Sequence, residues 1–138
     1  MIQIHGIDHL VLRTENLAGM LAFYCQVLGC VVERQLAPEV GLTQLRAGNA
    51  MIDLVSLDST LGRQGGDAPD PQRPNLDHFC LQLVDFDEDA IRAHLSQHGI
   101  TASPLDERYG AQGNGPSMYL KDPDKNTVEL KGRLVLDG

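Results

Sequence analysis

The hydrophobic positions of this chain fall into two runs with the same order of periods. "IDHLVLR" (Ile7 to Arg13) is short and rich in Leu and Val, which predicts a strand. Leu17, Met20, Leu21, Tyr24, Val27 and Leu28 then recur at spacings of three and four, one apolar face of a helix. Thr14 or Asn16 is placed to cap its start, and Gly29 to end it in a left-handed conformation. "CVVERQL", "LTQLRA" and "AMIDLVSL" predict three more strands, with "AGN" (Ala47 to Asn49) as the turn between the last two. Periodicity then disappears over Leu61 to Asn75, which is rich in Gly, Pro, Asp and Arg and reads as a linker or surface loop.

After that loop the order returns. "LDHFCLQLV" predicts a strand, and "DFDEDAIRAHLSQHG" a helix with Asp87 as its cap, acidic residues in its first turn and Gly99 as its stop. "ITASPL", "PSMYLKD" and "NTVELKG" follow as strands, the last two joined by the turn Asp122 to Asn126. The chain therefore reads strand-helix-strand-strand-strand twice. His9 stands 20 residues before Gly29, and His78 stands 21 before Gly99. His9 to Asp53 is 44 residues, and His78 to Glu129 is 51; the segment "DERYGAQGNG", read as a loop, absorbs the difference. The expected fold is α+β, two tandem βαβββ modules in one domain over 1–138. Module one spans about 5–60, the loop 61–75, and module two about 76–133.

Composition narrows the functional classes. With 138 residues, 42% of them hydrophobic, the chain is long enough for a real core. A formal net charge of -8 repels phosphate backbones and argues against nucleic-acid binding. No apolar run reaches the ~18 residues of a membrane span, and "MIQIHGID" lacks the signature of a signal peptide, so a cytoplasmic location is expected. Cys25, Cys30 and Cys80 do not form a disulfide framework and are expected to be free thiols.

Side chains alternate across a strand. His9, Val11 and Arg13 thus share a face, as do Met51, Asp53 and Val55, then His78, Cys80 and Gln82, then Thr127, Glu129 and Lys131. If curved sheets turn these faces inward, each module supplies one imidazole and one carboxylate. A lone histidine in a strand is ordinarily no ligand, and a lone acid ordinarily faces solvent. The repetition of both is what points to a divalent metal, Zn, Ni, Co, Mn or Fe, held by His9, Asp53, His78 and Glu129. Asp53, shorter than Glu, binds directly, binds through a water, or stays outside the ligand set and supports it. Arg13 and Gln82, four residues and so two strand repeats beyond the histidines, are candidates for substrate contact. The Arg13 guanidinium suits a carboxylate. Tyr109 lies in the Gly-rich "YGAQGNGPS", expected to be a loop bordering a pocket. Asp8 and Asp77 are expected to point to the opposite face, and His94 and His98 to be exposed helix residues.

"GIDHLVLRTENLAGMLAFYCQVLG" and "MYLKDPDKNTVELKG" resemble the vicinal oxygen chelate superfamily, which includes glyoxalase I, extradiol dioxygenases, fosfomycin resistance proteins and bleomycin-binding proteins. The resemblance covers essentially the whole chain. It implies curved mixed sheets around a metal cup, ligands at His9, Asp53, His78 and Glu129, and a homodimer whose sites often combine modules of two chains. It places Arg13 where glyoxalase I contacts a glutathione carboxylate. Two positions depart from glyoxalase I: Asp53 stands for its usual Glu, and Leu57 for an Asn. The implied function is a metal-dependent lyase or isomerase that chelates two oxygens of a small substrate, with Glu129 as the proton carrier. The alternatives are a ring-cleaving dioxygenase using His9, His78 and Glu129, and a non-catalytic module that sequesters an antibiotic or other small molecule.

Overall fold

A computed structural model describes residues 1–134; the end of the expected domain, 135–138, lies outside the described residues. The chain divides into two compact units, the first Met1–Asp70 and the second beginning at Pro71. Each contains one four-stranded mixed sheet.

In the first unit, β1 (His9–Thr14) leads into a short helix α1 (Leu17–Leu21) that continues as a π-helical turn, Ala22–Val27. Asn16 caps α1 by accepting from the Gly19 N–H at 3.0 Å, and Gly29 ends the helical segment at φ +80°. Met20, Tyr24 and Val27 of the predicted apolar face are buried. The wider π turn also brings Phe23 into the core, edge-on to Tyr24 at 4.9 Å. β2 (Val31–Gln35), β3 (Leu42–Ala47) and β4 (Ala50–Ser56) complete the sheet in the order β1-β4-β3-β2. β1 and β4 run parallel, with Val11 opposite Asp53; β3 and β4 form a hairpin that sets Gln44 opposite Asp53. Leu12, Leu45, Ile52 and Leu54 fill the core.

The expected structureless stretch from Leu61 opens instead as a helical turn, α2 (Thr60–Gln64). Ser59 caps it by accepting from the Gly62 N–H at 3.0 Å. Gly62 packs so tightly that a Cβ there would come within 2.0 Å of the Ser56 carbonyl oxygen. A turn this short has no helical period to read, which is why the pattern hid it.

In the second unit, β5 (Phe79–Gln82) is shorter than predicted and His78 lies just outside it. α3 (Glu88–Gln97) starts at its Asp87 cap and is stopped by Gly99 at φ +71°. "ITASPL" is not a strand, and the expected Gly-rich loop is one: β6 (Asp106–Gly110) turns directly into β7 (Gly113–Lys121). Gly113, at φ +85°, supplies the left-handed conformation that this hairpin needs. β8 (Thr127–Lys131) follows the predicted turn, where Asp122 accepts from the N–H groups of Asp124 and Asn126, each at 2.9 Å. The order is β5-β8-β7-β6, with Met118, Leu120, Val128 and Leu130 in the core beside Leu95 of α3 as a further buried residue. Among the described residues no helix is long and apolar enough to cross a membrane, and all three cysteines are free.

Candidate metal-binding residues

Parallel pairing of the first strand with the last in each sheet decides what meets on the polar face. In the second unit Cys80 lies opposite Glu129, and Tyr119 lies on Glu129's other side in the β7–β8 hairpin. His78 reaches the same place from just before β5: its Nε2 is 3.2 Å from Glu129 Oε1. The Ser117 hydroxyl donates to the other carboxylate oxygen at 2.7 Å, and Glu129 is only 6% exposed. The Tyr119 ring stands edge-on to His78 at 5.3 Å, and the Arg108 guanidinium lies 4.5 Å over that ring. Burial, then the Glu129 carboxylate, raises the Tyr119 phenol pKa, with Arg108 working against them. Burial of the Cys80 thiol, followed by the same carboxylate, pushes its pKa up to about 12, although the residue as a whole is exposed.

In the first unit Asp53 is buried at 3% exposure. Gln44 donates to its Oδ2 at 3.2 Å, and Arg34 in turn donates to the Gln44 carbonyl oxygen at 3.2 Å. Asp53 Oδ1 has no hydrogen-bond partner. His9, half-exposed at the head of β1, has its pKa raised chiefly by a hydrogen bond with Asp8; desolvation opposes this and the Asp53 carboxylate adds to it.

Asp8 and Asp77 do not turn away from their histidines. Asp8 Oδ1 lies 2.6 Å from His9 Nδ1, and Asp77 Oδ2 lies 2.7 Å from His78 Nδ1. Strict alternation fails here because His9 begins its strand and His78 precedes its own; Asp8 is tied to β4 through its carbonyl, which accepts from the Met51 N–H at 3.0 Å, and its side chain is still free to turn to His9. The same carboxylate-to-Nδ1 contact recurs in both units and orients each ring with Nδ1 toward its neighbouring acid and Nε2 turned away from it.

The other candidates are placed as follows. Arg13 donates to the carbonyls of Gly62 at 3.3 Å, Asp67 at 3.0 Å and Gly66, so its guanidinium ties down the segment after α2. Gln82 ends β5 opposite Lys131 and is exposed. Tyr109 pairs with Asn114, one step out of the row that holds Arg108, and is 81% exposed. The tyrosine beside Glu129 is Tyr119. The sequence expectations do not include it, nor Ser117, Arg108 and Gln44. Three of them were within reach of the sequence. The turn Asp122 to Asn126 sets Tyr119 opposite Glu129 with Ser117 two residues on, and the "AGN" turn sets Gln44 opposite Asp53. Only the strand β6 reveals Arg108.

Among the described residues no three His, Cys, Asp or Glu side chains converge as a ready ion site; of the four candidate donors, His78 and Glu129 are in contact. The donors nonetheless suit a divalent metal. Asp53 Oδ1 is buried and unpartnered, a costly state that a cation would relieve. The 3.2 Å between His78 Nε2 and Glu129 Oε1 is the span of two ligands each about 2.1 Å from one ion, at an angle of about 100°.

The family model described as "Glyoxalase/Bleomycin resistance protein/Dioxygenase superfamily" matches residues 6–130. A glyoxalase domain-containing protein, RDO1, of Mycosarcoma maydis is 29% identical over 135 residues, covering 94% of this chain and 69% of that protein. Catechol-2,3-dioxygenase of Bacillus subtilis (strain 168) is 28% identical over 134 residues, covering 94% of this chain and 43% of the dioxygenase, so the chain spans less than half of that relative. Among solved structures, an integron cassette protein from the mobile metagenome of V. cholerae has a TM-score of 0.71 at 28% identity, covering 96% of this chain and 98% of the other.

Proposed function

The chain belongs to the glyoxalase/bleomycin resistance protein/dioxygenase superfamily, and from that premise we propose that it is a divalent-metal-dependent enzyme of glyoxalase-like, lyase or isomerase type. Its substrate is a small molecule bound through two neighbouring oxygens. The observation that carries the reading is a pattern present in both units: an Asp against the histidine Nδ1 (Asp8–His9, Asp77–His78) and a buried carboxylate in the sheet's last strand (Asp53 in β4, Glu129 in β8). His9, Asp53, His78 and Glu129 are the proposed ligands of a Zn, Ni, Co, Mn or Fe ion. When bound, the ion supplies Lewis-acid stabilisation of negative charge on the substrate oxygens.

The chain's own groups do the rest. Asp8 and Asp77 hold the two imidazoles in one orientation. Gln44 fixes one oxygen of Asp53, and Ser117 fixes Oε2 of Glu129. Glu129 Oε1, the oxygen not held by Ser117, is the atom proposed to take up and return the substrate proton when it is free of the ion. Tyr119, with Arg108 over its ring, borders that oxygen and limits water beside it. Assembly as a homodimer and a cytoplasmic location complete the proposal.

A second reading, a ring-cleaving dioxygenase, is favoured by the likeness to catechol-2,3-dioxygenase and needs only His9, His78 and Glu129. Elemental analysis of protein purified without chelators, beside turnover of methylglyoxal–glutathione hemithioacetal, catechol and fosfomycin, separates the readings. One divalent ion per chain is expected, lost in His78→Ala and Glu129→Gln. If no divalent ion is retained and His78→Ala changes nothing, the proposal fails.

A further inference from the structure

His94 and His98 stand one helical turn apart on α3, both exposed, outside the candidate donors described above. Their ring centroids are 5.1 Å apart with the planes at 66°. An ion about 2.1 Å from a ring nitrogen lies about 3.2 Å from that ring's centroid, so two imidazoles sharing one ion at about 105° have centroids about 5.1 Å apart. The observed T-shaped contact keeps both rings within reach of one ion, and side-chain rotation is needed to aim both nitrogens at it. Each imidazole carries two nitrogens, so a contact at one leaves the other to bind, and often orients it.

The surroundings favour a cation. His94 sits in the last turn of α3 and His98 is its C-cap, where the helix dipole is negative. The helix is held at both ends, by the Asp87 cap and by Gly99, so binding orders little that is loose. The whole chain carries a net charge of -8. We infer that His94 and His98 form a second, peripheral site for a late first-row divalent cation, Cu²⁺, Ni²⁺ or Zn²⁺, completed by water. Imidazole pairs favour these ions over Mg²⁺ and Ca²⁺, which take oxygen ligands. This site is independent of the proposed catalytic metal.

Titration calorimetry with Ni²⁺ on chelator-treated full-length protein tests it, with Cu²⁺ electron paramagnetic resonance reporting the nitrogens bound. The His94/His98 class is expected in wild type and in His78→Ala, and its affinity is expected to fall at least about tenfold in His94→Gln or His98→Gln. In Ser96→His/His98→Gln the second imidazole lies on another side of the helix, and binding stays weak. Circular dichroism confirms that the variants fold. If the His94→Gln/His98→Gln double variant binds as many Ni²⁺ ions as wild type, with equal affinity, the inference is overturned. Loss of binding in His78→Ala alone bears on the catalytic proposal and not on this one.

Discussion

Replacing Asp53 by Asn is expected to act in opposite directions on the metal-free and the metal-loaded protein. Asp53 is 3% exposed; Oδ2 accepts one hydrogen bond from Gln44 and Oδ1 accepts none. An unsatisfied buried polar atom costs about 1–3 kcal/mol, more when it is charged. Asn keeps an oxygen for Gln44 and removes the charge, but its amide N–H groups then lie where Oδ1 was. The net gain for metal-free protein is therefore put at about 1–2 kcal/mol. At this chain length that corresponds to roughly 4–8 °C in Tm. With metal the sign reverses. If Asp53 is a ligand, affinity falls by at least about tenfold, and the stabilisation that bound metal confers, RT ln(1 + [L]/Kd), falls with it. Urea unfolding of chelator-treated and Zn²⁺-loaded protein at pH 8, each for wild type and Asp53→Asn, measures both arms. A variant that is less stable without metal, or that binds Zn²⁺ as tightly as wild type, refutes the reasoning.

The remaining predictions concern the supporting groups. Ser117→Ala removes a fully buried hydroxyl that donates to Glu129, and should cost about 2 kcal/mol in urea unfolding; no change would show that Ser117 does not hold the carboxylate. Asp77→Asn and Asp8→Asn should each lower metal affinity about 10–100-fold with little change in the circular dichroism spectrum, as read by calorimetry. Burial, then the neighbouring Cys25, pushes the Cys30 thiol pKa up to about 11. Its thiolate is therefore scarce at pH 8, and iodoacetamide labelling followed by mass spectrometry should rise about tenfold per pH unit from 8 to 10 in folded protein. Rapid labelling at pH 8 would contradict this.

Local chemistry made much of the fold legible. Asn16 and Asp87 start helices through their own side chains, Gly29 and Gly99 stop them through their backbone freedom, and Asp122 builds its turn from its own oxygens. Each of these signals needs only neighbours in sequence. β6 has no local signal: Asp106 to Gly110 is polar and largely exposed, and it is a strand because β7 offers it a ladder. "ITASPL" reads as a strand locally but touches β7 through Ser103, whose N–H donates to the Tyr119 carbonyl at 2.8 Å, without extending a ladder.

The sequence by itself determined the duplication, the turns of the β3–β4 and β7–β8 hairpins, and the identity of the repeated His and carboxylate, because period, turn residues and spacing are written along the chain. Tertiary structure alone decided what those side chains do. Parallel pairing of β5 with β8, residues some fifty positions apart, is what brings His78 Nε2 within 3.2 Å of Glu129. It decided that Asp8 and Asp77 turn toward their histidines, that Arg13 is spent on backbone carbonyls, and that Tyr119 rather than Tyr109 stands beside the acid. Those outcomes depend on contacts between distant segments and on residues at strand ends, where the alternation of side chains no longer dictates direction.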